Sequence, residues 1–143
     1  MFKALALSAA TLLSLAAFPA TTHAGPGQST EATQPARTFA QGFTRISWAT
    51  TLDHLFNGQG GGMWGMVVCP PGSARGAPIW GSGVYTSDSP ICVAAVHAGL
   101  ITPSAGGNVV ITIAPGQPSY ASSTRNGVTS YGYGSWHRSY TLH

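Results

Sequence analysis

The order of apolar and polar positions along the chain predicts several short strands. Residues 64–69 are rich in β-forming side chains, and Pro70 ends that run. Residues 108–113 place Val109, Ile111 and Ile113 at alternate positions, which is typical of a strand buried on at least one face. Asn126-Gly127 is a strong turn signal. Further strand candidates are residues 43–48, 79–85, 128–133 and 136–142.

The clearest helix signal covers residues 91–98. Ser89 is a good N-cap residue and Pro90 suits the first helical position. Gly99 can adopt the left-handed conformation that ends many helices. The segment is apolar on all sides, as in a buried helix. We therefore predict an α+β fold in which one central buried helix is wrapped by short, irregular antiparallel strands.

The first 41 residues predict a targeting segment followed by an arm. Lys3 gives a positive start, residues 4–18 are apolar, and small residues precede a cleavage point after Ala24. The apolar run is shorter than the roughly 20 residues of a membrane-spanning helix. Residues 25–41 lack periodicity and are rich in polar residues, Gly and Pro. We expect a signal peptide at 1–24, a flexible arm at 25–41 and one domain at 42–143, in a secreted or periplasmic protein without a transmembrane segment after cleavage.

Charged residues are scarce, which narrows the classes of partner. They make up 6% of the chain, with 6 Lys+Arg and 3 Asp+Glu, against about 25% in an average globular protein. Coiled coils and large helical bundles need many more charges on their outer faces. The small positive net charge reflects few acids rather than a basic patch, so the composition argues against nucleic-acid binding.

The two cysteines, Cys69 and Cys92, predict a disulfide. Export implies an oxidising compartment, in which an even pair tends to close. A catalytic thiol is the alternative, because Cys92 lies in the first turn of the predicted helix and His97 follows it. However, positions five apart on a helix point about 140° away from each other. The histidines show no metal-ligand spacing, so we expect neither a metal nor another cofactor.

A hydrolase would have to use Asp88 and His97 together with a serine. The chain lacks the G-x-S-x-G motif that exposes a nucleophilic serine on a sharp turn. Asp88 has a simpler role beside the start of the predicted helix, where a negative charge is favourable. His97 is more simply a neutral, buried histidine whose nitrogens contact backbone carbonyls or hydroxyls.

Aromatic residues near the C-terminus are denser than a core requires. Aromatic rings among neutral polar groups suit a sugar or an amphipathic ligand. Arginines in the same part of the chain can contact phosphate or carboxylate groups. The candidate ligand contacts are Tyr131, Tyr133, Trp136, Arg125 and Arg138.

Residues 89–99 read S-P-I-C-V-A-A-V-H-A-G and resemble the S-x-I-C-x-A-A-V-H-x-G helix of the LCCL domain. The resemblance extends in order and spacing from Cys69 to about residue 140. Family members usually carry four cysteines in two bridges, and Ser73 stands where one of them is expected. Cys69 must therefore join Cys92 if the chain forms a bridge. The matching motif residues are Gly81, Tyr85, Ser89, Ile91, Cys92, Ala94, Ala95, Val96, His97, Gly99, Gly107, Tyr120, Asn126, Gly127, Val128 and Ser130.

The resemblance implies a central helix wrapped by irregular sheet, and an extracellular module without catalytic residues. The family is linked to host defence and to lipopolysaccharide or other microbial ligands. A free-standing copy behind such a signal peptide looks like a bacterial member, so we do not transfer the defence role. We expect a secreted, non-enzymatic module that binds a surface or envelope glycan, a lipopolysaccharide-like lipid or a protein. A small hydrolase using Asp88 and His97, or a purely structural envelope module, is the alternative.

Overall fold

The structure is a computed structural model that describes residues 43–56, 61–74 and 77–143. The predicted signal peptide (1–24), the predicted arm (25–41) and the first residue of the predicted domain lie outside these residues. Within the described ranges, no helix is long and apolar enough to cross a membrane.

Strands dominate the described part of the chain, and two helices accompany them. The strands are β1 (Thr44–Arg45), β2 (Trp64–Cys69), β3 (Ile79–Ser82), β4 (Val84–Thr86), β5 (Gly107–Pro115), β6 (Ser123–Arg125), β7 (Val128–Tyr131) and β8 (Arg138–Leu142); the helices are α1 (Leu52–Leu55) and α2 (Ile91–Ala98). The α+β class is therefore correct in outline. The prediction of a single helix missed α1, a one-turn helix whose N-cap Thr51 and N3 residue His54 form a capping box.

The strands follow the order β1-β2-β5-β8-β4-β3-β7-β6. Most neighbours are antiparallel, as predicted, but β1 pairs with β2 and β3 pairs with β7 in parallel. The antiparallel pairing of β2 with β5 runs from Trp64 opposite Thr112 to Cys69 opposite Gly107. In β5 the alternate residues Val109, Ile111 and Ile113 are buried, as the apolar pattern predicts.

Residues 79–85 form a tight hairpin rather than the single strand that their composition predicts. β3 ends at Ser82, β4 begins at Val84, and Gly83 between them has φ +83°. Gly81 has φ +99°, and a Cβ at that position would collide with the carbonyl oxygen of Val84. The two glycines therefore permit a reversal that other residues would resist.

α2 occupies the predicted residues, but its first turn is built differently. Pro90 is the N-cap and makes no side-chain cap hydrogen bond. Ser89 is not the N-cap, because its hydroxyl accepts from the Trp80 N–H at 2.9 Å and contacts Thr86 Oγ1 at 2.8 Å. An N-cap bond is worth about 1 kcal/mol, whereas full burial of one side chain such as Ile91 contributes roughly 1.5–3 kcal/mol. Burial therefore outweighs the missing cap.

The C-terminal end of α2 matches the prediction. Gly99 adopts the left-handed conformation at φ +79°, and its N–H donates to the carbonyl of Val96. Residues 91–97 are all buried, whereas Ala98 is exposed. α2 packs against β3, β6 and β7, and these strands cover part of its apolar surface.

Candidate functional site

Cys69 and Cys92 form the predicted disulfide, with their Cα atoms 5.7 Å apart. It joins the last residue of β2 to the first turn of α2. Both residues are buried, so the bridge belongs to the core. No free cysteine occurs among the described residues, and the catalytic-thiol alternative has no support.

His97 is buried in the last turn of α2, and both ring nitrogens have partners. Its Nδ1 lies 2.8 Å from the Tyr85 hydroxyl. Its Nε2 lies 3.2 Å from the Ser123 carbonyl oxygen and 2.9 Å from Ser123 Oγ. Ser82 Oγ continues the chain at 2.9 Å from Ser123 Oγ. His97 is thus the neutral, satisfied histidine that its apolar helix predicts.

The partners of His97 assign its tautomer. A backbone carbonyl can only accept, so Nε2 carries the proton and donates it to Ser123. The Tyr85 O–H then donates to Nδ1. Burial lowers the pKa of His97, against the raising effect of the Ser123 carbonyl, and the positive charge of Arg125 lowers it further. Burial has the opposite effect on the phenol of Tyr85, whose pKa it raises. Both shifts favour the neutral forms that this network needs.

The other motif residues whose contacts are defined also connect elements of the core. Asn126 Nδ2 donates to the carbonyl of His97 at 3.1 Å and so covers the C-terminal end of α2. Ser130 Oγ donates to the carbonyl oxygens of Ile79 and Gly81. These contacts give the motif a structural role in holding α2, β3 and β7 together.

The arrangement around His97 does not favour the hydrolase hypothesis. The ring is 0% exposed, so a substrate has no route to it. Its Nε2 proton is directed at the Ser123 carbonyl, whereas a general base needs a free lone pair toward the serine hydroxyl. Tyr85 occupies the other nitrogen, and Asp88 lines a separate cavity.

Arg138 is engaged within the fold. Its guanidinium pairs with the Asp53 carboxylate and donates to the carbonyl of Phe56 at 2.7 Å. Only 13% of its side chain is exposed, and it lines neither cavity described below. The ion pair therefore connects β8 to α1. Arg125, in contrast, is exposed on β6, and its role in ligand contact stays a prediction.

A groove of about 650 Å³ lies beside α2 and β7, and we call it the β7 groove. Its apolar residues include Val93 and Val96 of α2 and Val128 of β7. Polar groups come from Ser73, Asn126, Thr129 and Tyr131. Tyr131 is 54% exposed, so a large aromatic face stands beside hydroxyl and amide groups.

A second, smaller cavity of about 130 Å³ is lined by Trp80, Tyr133, Trp136, Thr86 and Asp88, and we call it the aromatic box. The rings of Trp80 and Tyr133 have centroids 6.2 Å apart with planes at 68°. Those of Tyr133 and Trp136 are 5.6 Å apart at 82°. Tyr133 thus contacts both indoles in the edge-to-face geometry that aromatic pairs prefer.

The structure separates the candidate ligand contacts that the sequence grouped together. Tyr131 lines the β7 groove, whereas Tyr133 and Trp136 line the aromatic box. Trp80 and Asp88 join the box from distant positions in the chain. The sequence had suggested Asp88 only as a hydrolase residue and Trp80 for no site. The apolar helix pattern likewise gave no sign that Val93 and Val96 border a groove. Within the described ranges, no group of three or more His, Cys, Asp or Glu residues could hold a metal ion.

The disulfide, the buried helix and the two surface cavities define a small, disulfide-bonded module built mostly of strands. The family model of the LCCL domain matches residues 46–140. The chain therefore belongs to the LCCL domain family, as the helix motif predicted.

The chain is similar to segments of much longer proteins. It is 38% identical to vitrin of Mus musculus over 78 residues, which is 54% of this chain and 12% of vitrin. It is 40% identical to cochlin of Homo sapiens over 77 residues, which is 53% of this chain and 14% of cochlin. It is 41% identical to human cysteine-rich secretory protein LCCL domain-containing 2 over 58 residues, 41% of this chain and 12% of that protein. The similarity thus concerns a module within each relative.

Proposed function

We propose that this chain is a secreted, non-enzymatic LCCL-type module that binds a cell-surface or envelope glycan in the β7 groove. Membership of the LCCL family supports a module rather than an enzyme. Vitrin and cochlin are extracellular proteins, and this supports export. In this proposal residues 1–24 are the signal peptide, 25–41 an arm and 42–143 the binding domain, with α2 as its central element.

The β7 groove is the observation that carries the proposal. Its volume of about 650 Å³ lies within the roughly 300–1,000 Å³ of small-molecule sites. Sugars bind through stacking of their apolar faces on aromatic rings and through hydrogen bonds from their hydroxyls. The groove offers the Tyr131 ring, the Thr129 hydroxyl and the side-chain oxygen of Asn126. A lipopolysaccharide-like lipid and a protein are the other ligand classes to be tested.

Binding of the purified protein to glycan, lipid and protein arrays tests the proposal. Tyr131→Ala removes the exposed ring of the groove, and we expect it to weaken glycan binding by about tenfold or more, as for an aromatic hot spot. Tyr133→Ala is the matched control, since Tyr133 is similarly exposed, at 45%, but lies outside the groove.

Equal binding by Tyr131→Ala and the unmodified protein would refute the groove as the binding site. Capture of a lipid or a protein with the same dependence on Tyr131 would keep the site and correct the ligand class. Absence of binding to every array would favour the purely structural envelope module.

A further inference from the structure

The walls of the aromatic box are held in place by contacts outside the cavity. Trp136 Nε1 donates to Ser87 Oγ at 3.0 Å, and Ser87 Oγ donates to Asp53 Oδ2 at 2.9 Å. The Tyr133 backbone exchanges two hydrogen bonds with Tyr120, at 2.8 and 3.1 Å. Because the Trp136 indole and the Tyr133 backbone are held before any ligand arrives, binding would cost less ordering of these two residues.

Asp88 brings an uncompensated carboxylate to this cavity. Its Oδ1 is buried and has no hydrogen-bond partner among the described residues. The one ion pair found within the described ranges joins Arg138 to Asp53, not to Asp88. Burying a charged oxygen without a partner is costly, and a cation held nearby would offset part of that cost electrostatically.

Ring faces and a carboxylate attract the same kind of ligand. The faces of Trp and Tyr carry negative electrostatic potential, which attracts cations within about 6 Å of the ring centroid. Asp88 adds a formal negative charge to the same wall. The cavity of about 130 Å³ has the volume of about four water molecules. That space suits a compact head group and is small for a sugar ring.

We propose that the aromatic box binds a compact organic cation of the trimethylammonium class, with Trp80, Tyr133 and Trp136 around its methyl groups and Asp88 as its counter-ion. This second site uses residues other than those of the β7 groove. Cation binding in the box does not depend on glycan binding in the β7 groove, so refuting one proposal leaves the other standing.

Titration of the whole protein with tetramethylammonium chloride, followed by the indole N–H signals in NMR spectra, tests the proposal. We expect shifts at Trp80 and Trp136 and none at Trp48 and Trp64, which lie outside the box. tert-Butanol is neutral and of similar size, and should bind at least about tenfold more weakly because it lacks the cation–π attraction. Sodium chloride at equal ionic strength controls for salt.

Two variants test whether the Asp88 charge contributes to binding. Asp88→Asn keeps the shape of the side chain and should weaken tetramethylammonium binding by about tenfold. Tyr131→Ala is the matched control and should bind like the unmodified protein. Equal affinities for tetramethylammonium and tert-butanol, or an unchanged affinity in Asp88→Asn, would overturn the proposal. The comparison of tetramethylammonium with tert-butanol needs no variant, so it tests the proposal even if Asp88→Asn does not fold.

Phosphatidylcholine vesicles then identify the source of the cation. Vesicle binding that free tetramethylammonium displaces would assign the site to a lipid head group. Binding of tetramethylammonium without vesicle binding would keep the cation site and assign it to a soluble or polymer-borne group.

Discussion

Asp88 lies just before α2 and His97 in its last turn, yet their surroundings differ in kind. Both nitrogens of His97 have partners at 2.8–3.2 Å, in Tyr85 and Ser123. Asp88 Oδ1 is buried without a partner among the described residues, next to partly exposed rings. The first arrangement stabilises the fold, whereas the second leaves an electrostatic demand that a ligand can meet. Most of the motif that identifies the family lies in the core, whereas Val96, Asn126, Gly127 and Val128 also line the β7 groove.

Removal of the disulfide should have the largest effect on the stability of the core. Replacing both Cys69 and Cys92 by Ala removes a cross-link between residues 23 apart. The free energy of unfolding should fall by about 3 kcal/mol, because the unfolded chain gains loop entropy. Denaturant titration of the double variant measures this change, and the reduced unmodified protein serves as its control. A loss below about 1 kcal/mol would be an ordinary single-substitution effect and would contradict a major role for the bridge.

The Tyr85 hydroxyl tests the His97 network itself. Tyr85→Phe leaves His97 Nδ1 buried without a donor, which should lower the free energy of unfolding by about 1–3 kcal/mol. Tyr131→Phe removes an exposed hydroxyl and should change it by less than about 0.5 kcal/mol. If the two variants unfold at the same denaturant concentration, the Tyr85–His97 hydrogen bond contributes little.

The lowered pKa of His97 predicts how stability depends on pH. The unfolded histidine has a pKa of about 6.5, so the unfolded state binds a proton at a higher pH than the folded state does. Stability should be full above pH 6.5 and should fall as the pH drops below it toward the pKa of the folded state. Unfolding at a series of pH values between 5 and 7.5 measures the slope.

Two histidine variants show whether His97 causes that dependence of stability on pH. His97→Gln should flatten it, whereas His137→Gln, at an exposed position, should leave it unchanged. A slope that survives in His97→Gln would show that another group causes the pH dependence.

Local signals explain which parts of the fold were predictable. Helix 91–98, strand 64–69 and the Asn126-Gly127 turn each depend on residues adjacent in sequence, and the structure contains all three. The prediction that Ser89 is the N-cap of α2 was wrong because its hydroxyl accepts a hydrogen bond from Trp80 on β3. No pattern in the neighbouring sequence indicates that contact. The hairpin at 79–86 was missed because residues 79–85 were interpreted as a single strand.

The candidate site was predictable only in part, for the same reason. The aromatic density of the C-terminal segment drew attention to Tyr131, Tyr133 and Trp136. Their division between two cavities depends on β3, which pairs with β7 and brings Trp80 opposite Tyr131. Asp88 lies in the turn after β4, and only the tertiary packing of that turn places it at the aromatic box.

The most direct test of this contrast is the unfolding free energy of Asp88→Asn, measured in the same denaturant titration as Tyr85→Phe. If Asp88 serves a ligand, removing its unpartnered charge should leave stability within about 0.5 kcal/mol of the unmodified protein or raise it, while Tyr85→Phe loses stability. A loss in Asp88→Asn as large as that in Tyr85→Phe would show that Asp88 is a structural residue and would contradict the account.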